Sequence, residues 1–195
     1  MAKPNVISKQ DLINCAKECL ASNGIDKFTL RAVAEVAGLT QGTIYYHFRT
    51  KEQLLLAIVQ DISENSWAEI SQKSNHYMIS EAIAAAKNRC SYDSYFHKLF
   101  STLLVSSFNN EKMRTQLGEV VSNENDALTQ NLSKLWPKSP IDGVSLETWG
   151  ILLTAIVDGL ALQALLQKDF PVEKTYEEVE QLFKGLSNLL YEGDK

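Results

Sequence analysis

The chain has 195 residues, of which 45% are hydrophobic and 22% charged, so it can form one large or two small globular domains, and its composition excludes a disordered protein. Its net charge of −5 argues against a uniformly basic nucleic-acid coat protein. Residues 1–52 nevertheless hold seven Lys/Arg against five Asp/Glu, a net charge of +2, which leaves the remainder at −7 and makes the amino end the basic one.

Four helix starts in the first third of the chain share one signal, a Ser or Thr in the N-cap position. These residues are Ser8, Thr29, Thr40 and Thr50. Together with the breaks at Asn23-Gly24 and Gly38, they predict a first helix that begins after Ser8 and ends near residue 23. Three further helices are predicted over 30–37, 41–46 and 51–71. A helix, a tight glycine turn and a short helix constitute a helix-turn-helix.

Helical periodicity continues through the rest of the chain, and no strand-like alternation is sustained. The predicted helices lie near 78–107, 110–117, 118–136, 145–168 and 174–191, the first of them with a possible interruption around Cys90 to Asp93. We therefore expect an all-α protein of about nine helices. A three-helix DNA-binding bundle over residues 1–50 would be joined to a larger helical ligand-binding and dimerisation domain over 51–195.

The stretch "GLTQGTIYYHF", residues 38–48, is rich in hydrogen-bonding side chains, and the start of a recognition helix faces base edges and phosphates. Gln41 and Thr43 suit bases, and Gly42 carries no side chain at the closest approach. Groups suited to phosphate oxygens are carried by Thr40, Tyr45, Tyr46 and His47, with a further positive charge at Lys51. Alternatively, this is a polar surface helix whose Tyr-Tyr-His cluster packs for stability.

The segment "TLRAVAEVAGLTQGTIYYHFRTKEQLL", residues 29–55, resembles the DNA-binding signature of the tetracycline-repressor (TetR) family of bacterial regulators, and the likeness covers about residues 8–55. The resemblance implies that Thr29 and Arg31 touch the DNA backbone or a flanking base. It also implies base contacts by Gln41 and Thr43, phosphate or base-edge contacts by the Tyr-Tyr-His group, and a phosphate anchor at Lys51. Arg49-Thr50 stands where that family more often has Pro or Lys followed by Ser or Asn.

The segment "TWGILLTAIVDGLALQALL", residues 148–166, is almost long and apolar enough to cross a membrane. Because Asp158 and Gln163 interrupt it, burial in a helical bundle or a dimer is the better account. A single short helix reads few base pairs, so we expect a homodimer formed through the helices near 145–168 and 174–191, as the family resemblance also implies. Asp158 could meet a cationic ligand, but a structural hydrogen bond at a helix crossing is the commoner use of such a residue.

Aromatic side chains are frequent in the middle helices, and some could line an apolar small-molecule pocket. They could equally be ordinary core residues. The candidate ligand contacts are Trp67, Tyr92, Phe96, His97, Phe100, Leu104 and Trp149. Asp93 and His97 lie one helical turn apart and might pair or bind a metal, although a solvated or paired surface couple is the simpler interpretation.

The leading hypothesis is a cytoplasmic regulator, a repressor that binds a palindromic operator and is released by a small hydrophobic molecule. Cytoplasmic location is expected because "MAKPNVISKQ" lacks the apolar region of a signal peptide, and three cysteines without C-x-x-C spacing favour a reducing compartment. Neither a cofactor nor a metal is expected, since Cys15 and Cys19 lack nearby partners. The alternatives are a helical ligand carrier that has kept the fold without binding DNA, and an enzyme, for which the usual motifs are missing.

Overall fold

The computed structural model describes residues 7–72, 75–91 and 95–192. Within these ranges the chain forms nine α-helices and no β-strand, as the sequence predicts. The helices are α1 Lys9–Asn23, α2 Leu30–Ala37, α3 Gln41–Phe48, α4 Lys51–Ser71, α5 Asn75–Arg89, α6 Phe96–Ser107, α7 Glu111–Leu135, α8 Leu146–Leu166 and α9 Val172–Glu192.

The first four helices begin where their caps predict, because each cap side chain accepts a hydrogen bond from a backbone N–H of its own first turn. Ser8 forms a full capping box with Asp11, and Thr29, Thr40 and Thr50 accept from the backbone N–H three residues further on. These bonds satisfy donors that a helix start otherwise leaves unpaired. The third helix runs two residues further than predicted and ends at Phe48, whose side chain is buried.

One prediction for the body was wrong, and another was confirmed. The segment expected to form separate helices over 110–117 and 118–136 is one helix, α7, which passes through Gly118 without a break. Leu117 and Val120 on either side of this glycine are buried, and their packing outweighs the helix penalty of glycine, about 1 kcal/mol. The possible interruption of the predicted helix over 78–107 around Cys90 to Asp93 is confirmed, since α5 ends at Arg89 and α6 begins at Phe96.

One apolar core joins the amino-terminal bundle to the body. It contains buried side chains from α1, α2 and α3, the first half of α4, α6 and the first half of α7. Leu54, Leu55 and Ile58 of α4 lie in this core, which we call the shared core. The predicted domain boundary at residue 50 coincides with the start of α4, but the packing continues across it, and the boundary stays a prediction.

The far end of the body is built by α5, α7, α8 and α9 around two smaller clusters of buried side chains. Among the described residues, α8 is the one helix long and apolar enough to cross a membrane by length and composition, with a mean hydropathy of 1.8. Its inner face packs mainly against α7, and its buried residues are Gly150, Leu153, Thr154 and Ala161, the last in a cluster with Ala86 and Tyr176. Its outer face is apolar and exposed, which leaves a surface without a partner in the single chain.

Candidate functional site

A left-handed glycine sets the angle between α2 and α3. Gly38 has φ 66° and ψ 30°, a conformation that residues with a Cβ rarely adopt. Its N–H and that of Leu39 bond to carbonyls at the end of α2, with 2.9 Å between Leu39 N and Ala34 O. Thr40 then caps the next helix, so only two residues separate α2 from the cap of α3. This turn holds α3 across the face of the bundle.

The two faces of α3 differ sharply in exposure. Ile44 and Phe48 are buried in the shared core. Tyr45 and Tyr46 are 51% and 71% exposed, although tyrosine is a residue that a protein usually buries in part. A Cβ added at Gly42 would lie 3.6 Å from its nearest neighbour, Thr40 Oγ1, so nothing inside the chain requires glycine at this position.

The remaining predicted contacts on α3 also lie on or beside this outer face. Gln41 is exposed, and Thr43 is half-buried with its Oγ1 3.1 Å from Thr40 Oγ1. His47 is half-buried, and its ring meets Tyr46 edge to face at 5.3 Å. The outer face therefore presents one amide, hydroxyls, an imidazole and two phenols. These groups offer both donors and acceptors of hydrogen bonds.

Arg49 belongs to the same surface, although the sequence-based set of DNA contacts omits it. Its guanidinium lies over the rings of Tyr45 and Tyr46, with 5.5 Å and 5.9 Å to the ring centroids. Among the described residues it is the one non-glycine residue at positive φ, 63°. Arg49 lies four residues after Tyr45 and three after Tyr46, and this helical spacing is the sequence signal that could have identified it. We call Gln41, Gly42, Thr43, Tyr45, Tyr46 and Arg49 the α3 surface.

Lys51, Thr29 and Arg31 each have a partner inside the chain. Lys51 Nζ donates to Ile25 O at 3.3 Å and lies 5.9 Å from the centroid of the Phe28 ring. Thr29 Oγ1 accepts from the Ala32 N–H as the cap of α2. Arg31 is exposed and pairs with Glu35 at 3.0 Å, so part of its charge is neutralised. These contacts hold each of the three side chains on a partner within the chain.

The fourth helix connects this surface to the body. Near its middle, Asp61 accepts hydrogen bonds from Lys17 and Gln10 of α1 and from Asn65. Burial alone would raise the pKa of Asp61, but these hydrogen bonds and the Lys17 charge hold it below the ordinary value. Gln53 also donates to Gln116 of α7 at 2.8 Å. A shift of α4 therefore acts on both α1 and α7.

The body contains a cavity of about 110 Å³ between α4, α5, α7, α8 and α9. Its walls are mainly aliphatic and aromatic. The lining includes Trp67 and Ile70 of α4, Ile79, Ile83 and Ala86 of α5, Leu128, Leu132 and Leu135 of α7, Leu153 and Val157 of α8, and Val179 and Phe183 of α9. A concave, apolar site with few polar groups is the usual form of a small-molecule site.

A few polar groups enter this lining. Glu124 is buried, accepts a hydrogen bond from Ser63 of α4 at 2.9 Å and pairs with Arg89 at 3.3 Å. Asp158 reaches the cavity and lies 3.1 Å from His97 Nε2, so it has the structural hydrogen bond that is usual for such a residue. Burial and a contact with Cys90 Sγ at 3.3 Å raise the pKa of Tyr176, which keeps its phenol neutral.

The predicted ligand contacts have several positions relative to the cavity. Trp67 lines it. Phe96 lies under the Arg89 guanidinium in the shared core, and Trp149 packs edge to face on Trp136, so both stand behind lining residues. Phe100 packs against the shared core, and Leu104 is 41% exposed.

Tyr92 and Asp93 are outside the described residues, so their predicted roles have no structural account. Among the residues that are described, no cluster of His, Cys, Asp and Glu could hold a metal ion. Most of the lining was missed by sequence reasoning because a lining leucine has the same helical spacing as a core leucine.

Comparison with known proteins shows that the amino-terminal region matches one protein-family model. The family model described as "Bacterial regulatory proteins, tetR family" matches residues 12–58. The HTH-type transcriptional repressor AcnR of Corynebacterium efficiens is 33% identical, over 33% of this chain and 39% of that protein. The chain thus matches about two fifths of the length of this curated relative.

Solved structures resemble the whole chain in fold. The fatty acid degradation regulator FadR from Bacillus halodurans has a TM-score of 0.66 and 16% identity, covering 92% of this chain and 98% of FadR. The multidrug binding protein EbrR in complex with proflavin has a TM-score of 0.57 and 20% identity, covering 89% of this chain and 98% of EbrR. At these identities the likeness concerns the arrangement of the helices.

Proposed function

Because the chain belongs to the tetR family of bacterial regulatory proteins, we propose that it is a cytoplasmic transcriptional repressor. It acts as a homodimer on a two-fold symmetric DNA operator and leaves the operator when a small apolar molecule enters the body. The observation that carries the proposal is the α3 surface. Apart from the half-buried Thr43 its side chains are exposed and rich in hydrogen-bonding groups, while Ile44 and Phe48 form the core beneath it.

In this proposal α3 enters the major groove with its amino end towards the bases. Gln41 and Thr43 contact base edges, and Gly42 allows the helix backbone to come close to the DNA. Tyr45, Tyr46 and His47 contact phosphates or neighbouring base edges. Arg49 and Lys51 add positive charge close to the phosphates, with Thr29, Arg31 and Thr40 at the margin of the contact.

The homodimer is formed through the outer faces of α8 and α9. Both helices expose large apolar side chains that a monomer would leave in water. These are Ile151, Leu152, Ile156, Leu162, Leu166, Leu182 and Leu189. A Cβ added at Gly159 or Gly185 would meet nothing within 4 Å inside the chain, so both positions leave room for a partner helix. Two helices from each copy would make a self-complementary four-helix interface.

A two-fold dimer requires two half-sites. If the two recognition helices enter successive major-groove faces, the half-site centres are about 34–36 Å apart. The operator is therefore expected to be an inverted repeat. The acidic remainder of the chain, at a net charge of −7, repels phosphates and restricts DNA to the amino-terminal face.

In this proposal α4 transmits effector binding to the DNA-binding helices, because it lies in both the shared core and the cavity wall. This helix contributes Leu54, Leu55 and Ile58 to the shared core, and further along it contributes Trp67 and Ile70 to the cavity wall. The cavity of about 110 Å³ is smaller than the roughly 300–1,000 Å³ that drug-sized ligands occupy, so a larger effector must widen it. An effector that binds the widened conformation more tightly moves α4 and the α3 surfaces away from their DNA-binding spacing.

The test is selection of duplex DNA from a random library by the purified protein, followed by affinity measurements at several salt concentrations. We expect a two-fold symmetric site whose affinity falls steeply with salt. Lys51→Gln should weaken binding and reduce the salt slope by about 1, and Lys138→Gln in the loop after α7 is the matched charge control. Likewise Tyr46→Ala should weaken binding, whereas Phe108→Ala removes an exposed aromatic ring outside α3 and should not. If no DNA is enriched and the protein still binds apolar ligands, the alternative of a helical ligand carrier that does not bind DNA is favoured.

A further inference from the structure

The three tryptophans of the chain differ in the hydrogen bonding of their indole N–H groups. Trp136 Nε1 donates to Ser187 Oγ at 2.9 Å, and Trp149 Nε1 donates to Ser139 Oγ at 3.0 Å. Trp67 Nε1 is buried and has no acceptor within hydrogen-bonding distance among the described residues. Most buried polar groups in proteins have a partner, and one without a partner is destabilising, so this donor calls for a physical explanation.

The cavity beside Trp67 offers that explanation. The ring forms part of the lining contributed by α4, and the lining as a whole also carries side-chain oxygens on Ser66, Glu124, Asn131, Thr154, Asp158 and Tyr176. None of these oxygens lies within hydrogen-bonding distance of Trp67 Nε1. An acceptor for Trp67 Nε1 can therefore come from a molecule that occupies the cavity.

The charges that border the cavity decide what kind of acceptor fits. Arg89 lies 3.3 Å from Glu124, so the arginine is already matched by a carboxylate. Asp158 adds a second carboxylate, next to a histidine that is charged only when protonated. The lining therefore carries two carboxylates, those of Glu124 and Asp158, against one guanidinium. A ligand carboxylate would add another in an apolar setting, which is unfavourable, whereas a neutral oxygen adds none.

We propose that the cavity binds a small uncharged molecule with an apolar body and one neutral oxygen acceptor, such as a ketone, which takes the hydrogen bond from Trp67 Nε1. The volume of about 110 Å³ limits the body of such a ligand to at most one ring, since a cavity of about 150 Å³ holds benzene. Because Trp67 Nε1 is itself buried, the ligand must widen the cavity to reach it. This inference rests on the proposed effector site and assigns that site a chemical class of ligand.

The experiment follows the three indole N–H resonances of the full-length protein labelled with [¹⁵N]tryptophan, without DNA. The probes are cyclohexanone, methylcyclohexane and cyclohexanecarboxylate, which share a six-membered ring and differ in the acceptor. Cyclohexanone is expected to bind and to move one resonance to lower field, while the two indoles already paired with serine stay in place. Trp67→Phe should remove the moving resonance, which assigns it.

The second part of the experiment measures the affinity of each variant for the probes. Trp67→Phe should weaken cyclohexanone binding by roughly 3- to 10-fold and leave methylcyclohexane binding almost unchanged, as expected for loss of one hydrogen bond. Trp149→Phe is the matched control and should leave cyclohexanone affinity unchanged, because Trp149 does not line the cavity. The two remaining indole resonances show that each variant is folded.

Three results would overturn the inference: no binding of any probe, equal effects of cyclohexanone and methylcyclohexane on the Trp67 resonance, or tightest binding of the carboxylate. None of them bears on DNA binding, which is measured separately by the selection experiment. If cyclohexanone binds as expected but no DNA site is enriched, the ligand class stands and the repressor proposal fails. If DNA is selected and the probes do not bind, the repressor proposal stands and the ligand class is wrong.

Discussion

Gly150→Ala is predicted to destabilise the protein, because α8 and α7 approach each other closely at this glycine. A Cβ built at Gly150 would lie 2.3 Å from Thr129 Oγ1 and 2.8 Å from the backbone oxygen of Asn125. Thr129 can rotate away, but its Oγ1 then loses the 2.9 Å hydrogen bond to Asn125 O. The backbone oxygen cannot rotate, so the two helices must separate by about 0.6 Å to reach an ordinary contact of 3.4 Å.

The size of the effect comes from opposing contributions. Overpacking in a close contact costs about 1–3 kcal/mol, and the lost hydrogen bond adds about 0.5–1.5 kcal/mol. Replacing glycine by alanine inside a helix returns about 0.8–1.0 kcal/mol. The expected net loss of folding free energy is about 1–3 kcal/mol. For a chain of this length each kcal/mol lowers Tm by about 2–4 °C.

The assay is thermal and urea unfolding followed by circular dichroism, at a fixed protomer concentration because the proposed dimer would make Tm depend on concentration. Gly118→Ala on α7 is the control, since a Cβ there meets nothing within 4 Å. It should raise stability by up to about 1 kcal/mol. If Gly150→Ala proves as stable as Gly118→Ala, the argument from close packing of α7 and α8 is refuted.

Three further predictions concern the dimer, acid stability and the α3 surface. Leu162→Asp on the outer face of α8 should give a folded monomer in analytical ultracentrifugation, and a persistent dimer would contradict the proposed interface. Asp61 has a lowered pKa, so its stabilising contribution is complete above about pH 4 and is lost as the pH falls through the folded-state pKa. Asp61→Asn should therefore flatten the acid side of the stability–pH curve measured by urea unfolding, and an unaltered curve would exclude this role. Arg49→Gly places glycine at a positive φ, so the free energy of unfolding should rise by about 0.5–1 kcal/mol. The same change removes a positive charge, so operator affinity and its salt slope should fall. Unchanged affinity would show that Arg49 does not contact DNA.

The amino-terminal helices could be predicted closely because the signals for their ends are local. Each cap side chain bonds to a backbone N–H three residues away, as Thr40 does to Thr43, so the sequence neighbourhood contains both partners. Gly38 likewise marks a turn through its own backbone freedom. The outward direction of Tyr45 and Tyr46 follows from the helical spacing that turns Ile44 and Phe48 inward.

The body was less predictable because its decisive contacts join distant parts of the chain. Whether Gly118 breaks a helix depends on the packing of Leu117 and Val120, and α7 proved continuous. Which aromatic side chains border the cavity depends on how α4, α5, α7, α8 and α9 meet. Trp67 borders it, whereas Phe100 packs against the shared core.

The sequence by itself determined the all-α class, the four capped helices at the amino end, the helix-turn-helix and the apolar character of α8. These properties follow from side-chain spacing and from hydrogen bonds within a few residues. Only the tertiary structure decided that Arg49 joins the tyrosines, that Glu124 binds both Ser63 and Arg89, and that Trp67 alone among the tryptophans lacks an acceptor for its indole N–H within the described part of the chain. Apart from Arg49, these depend on helices that meet across long separations in sequence, where burial and partners are set by packing and not by local pattern.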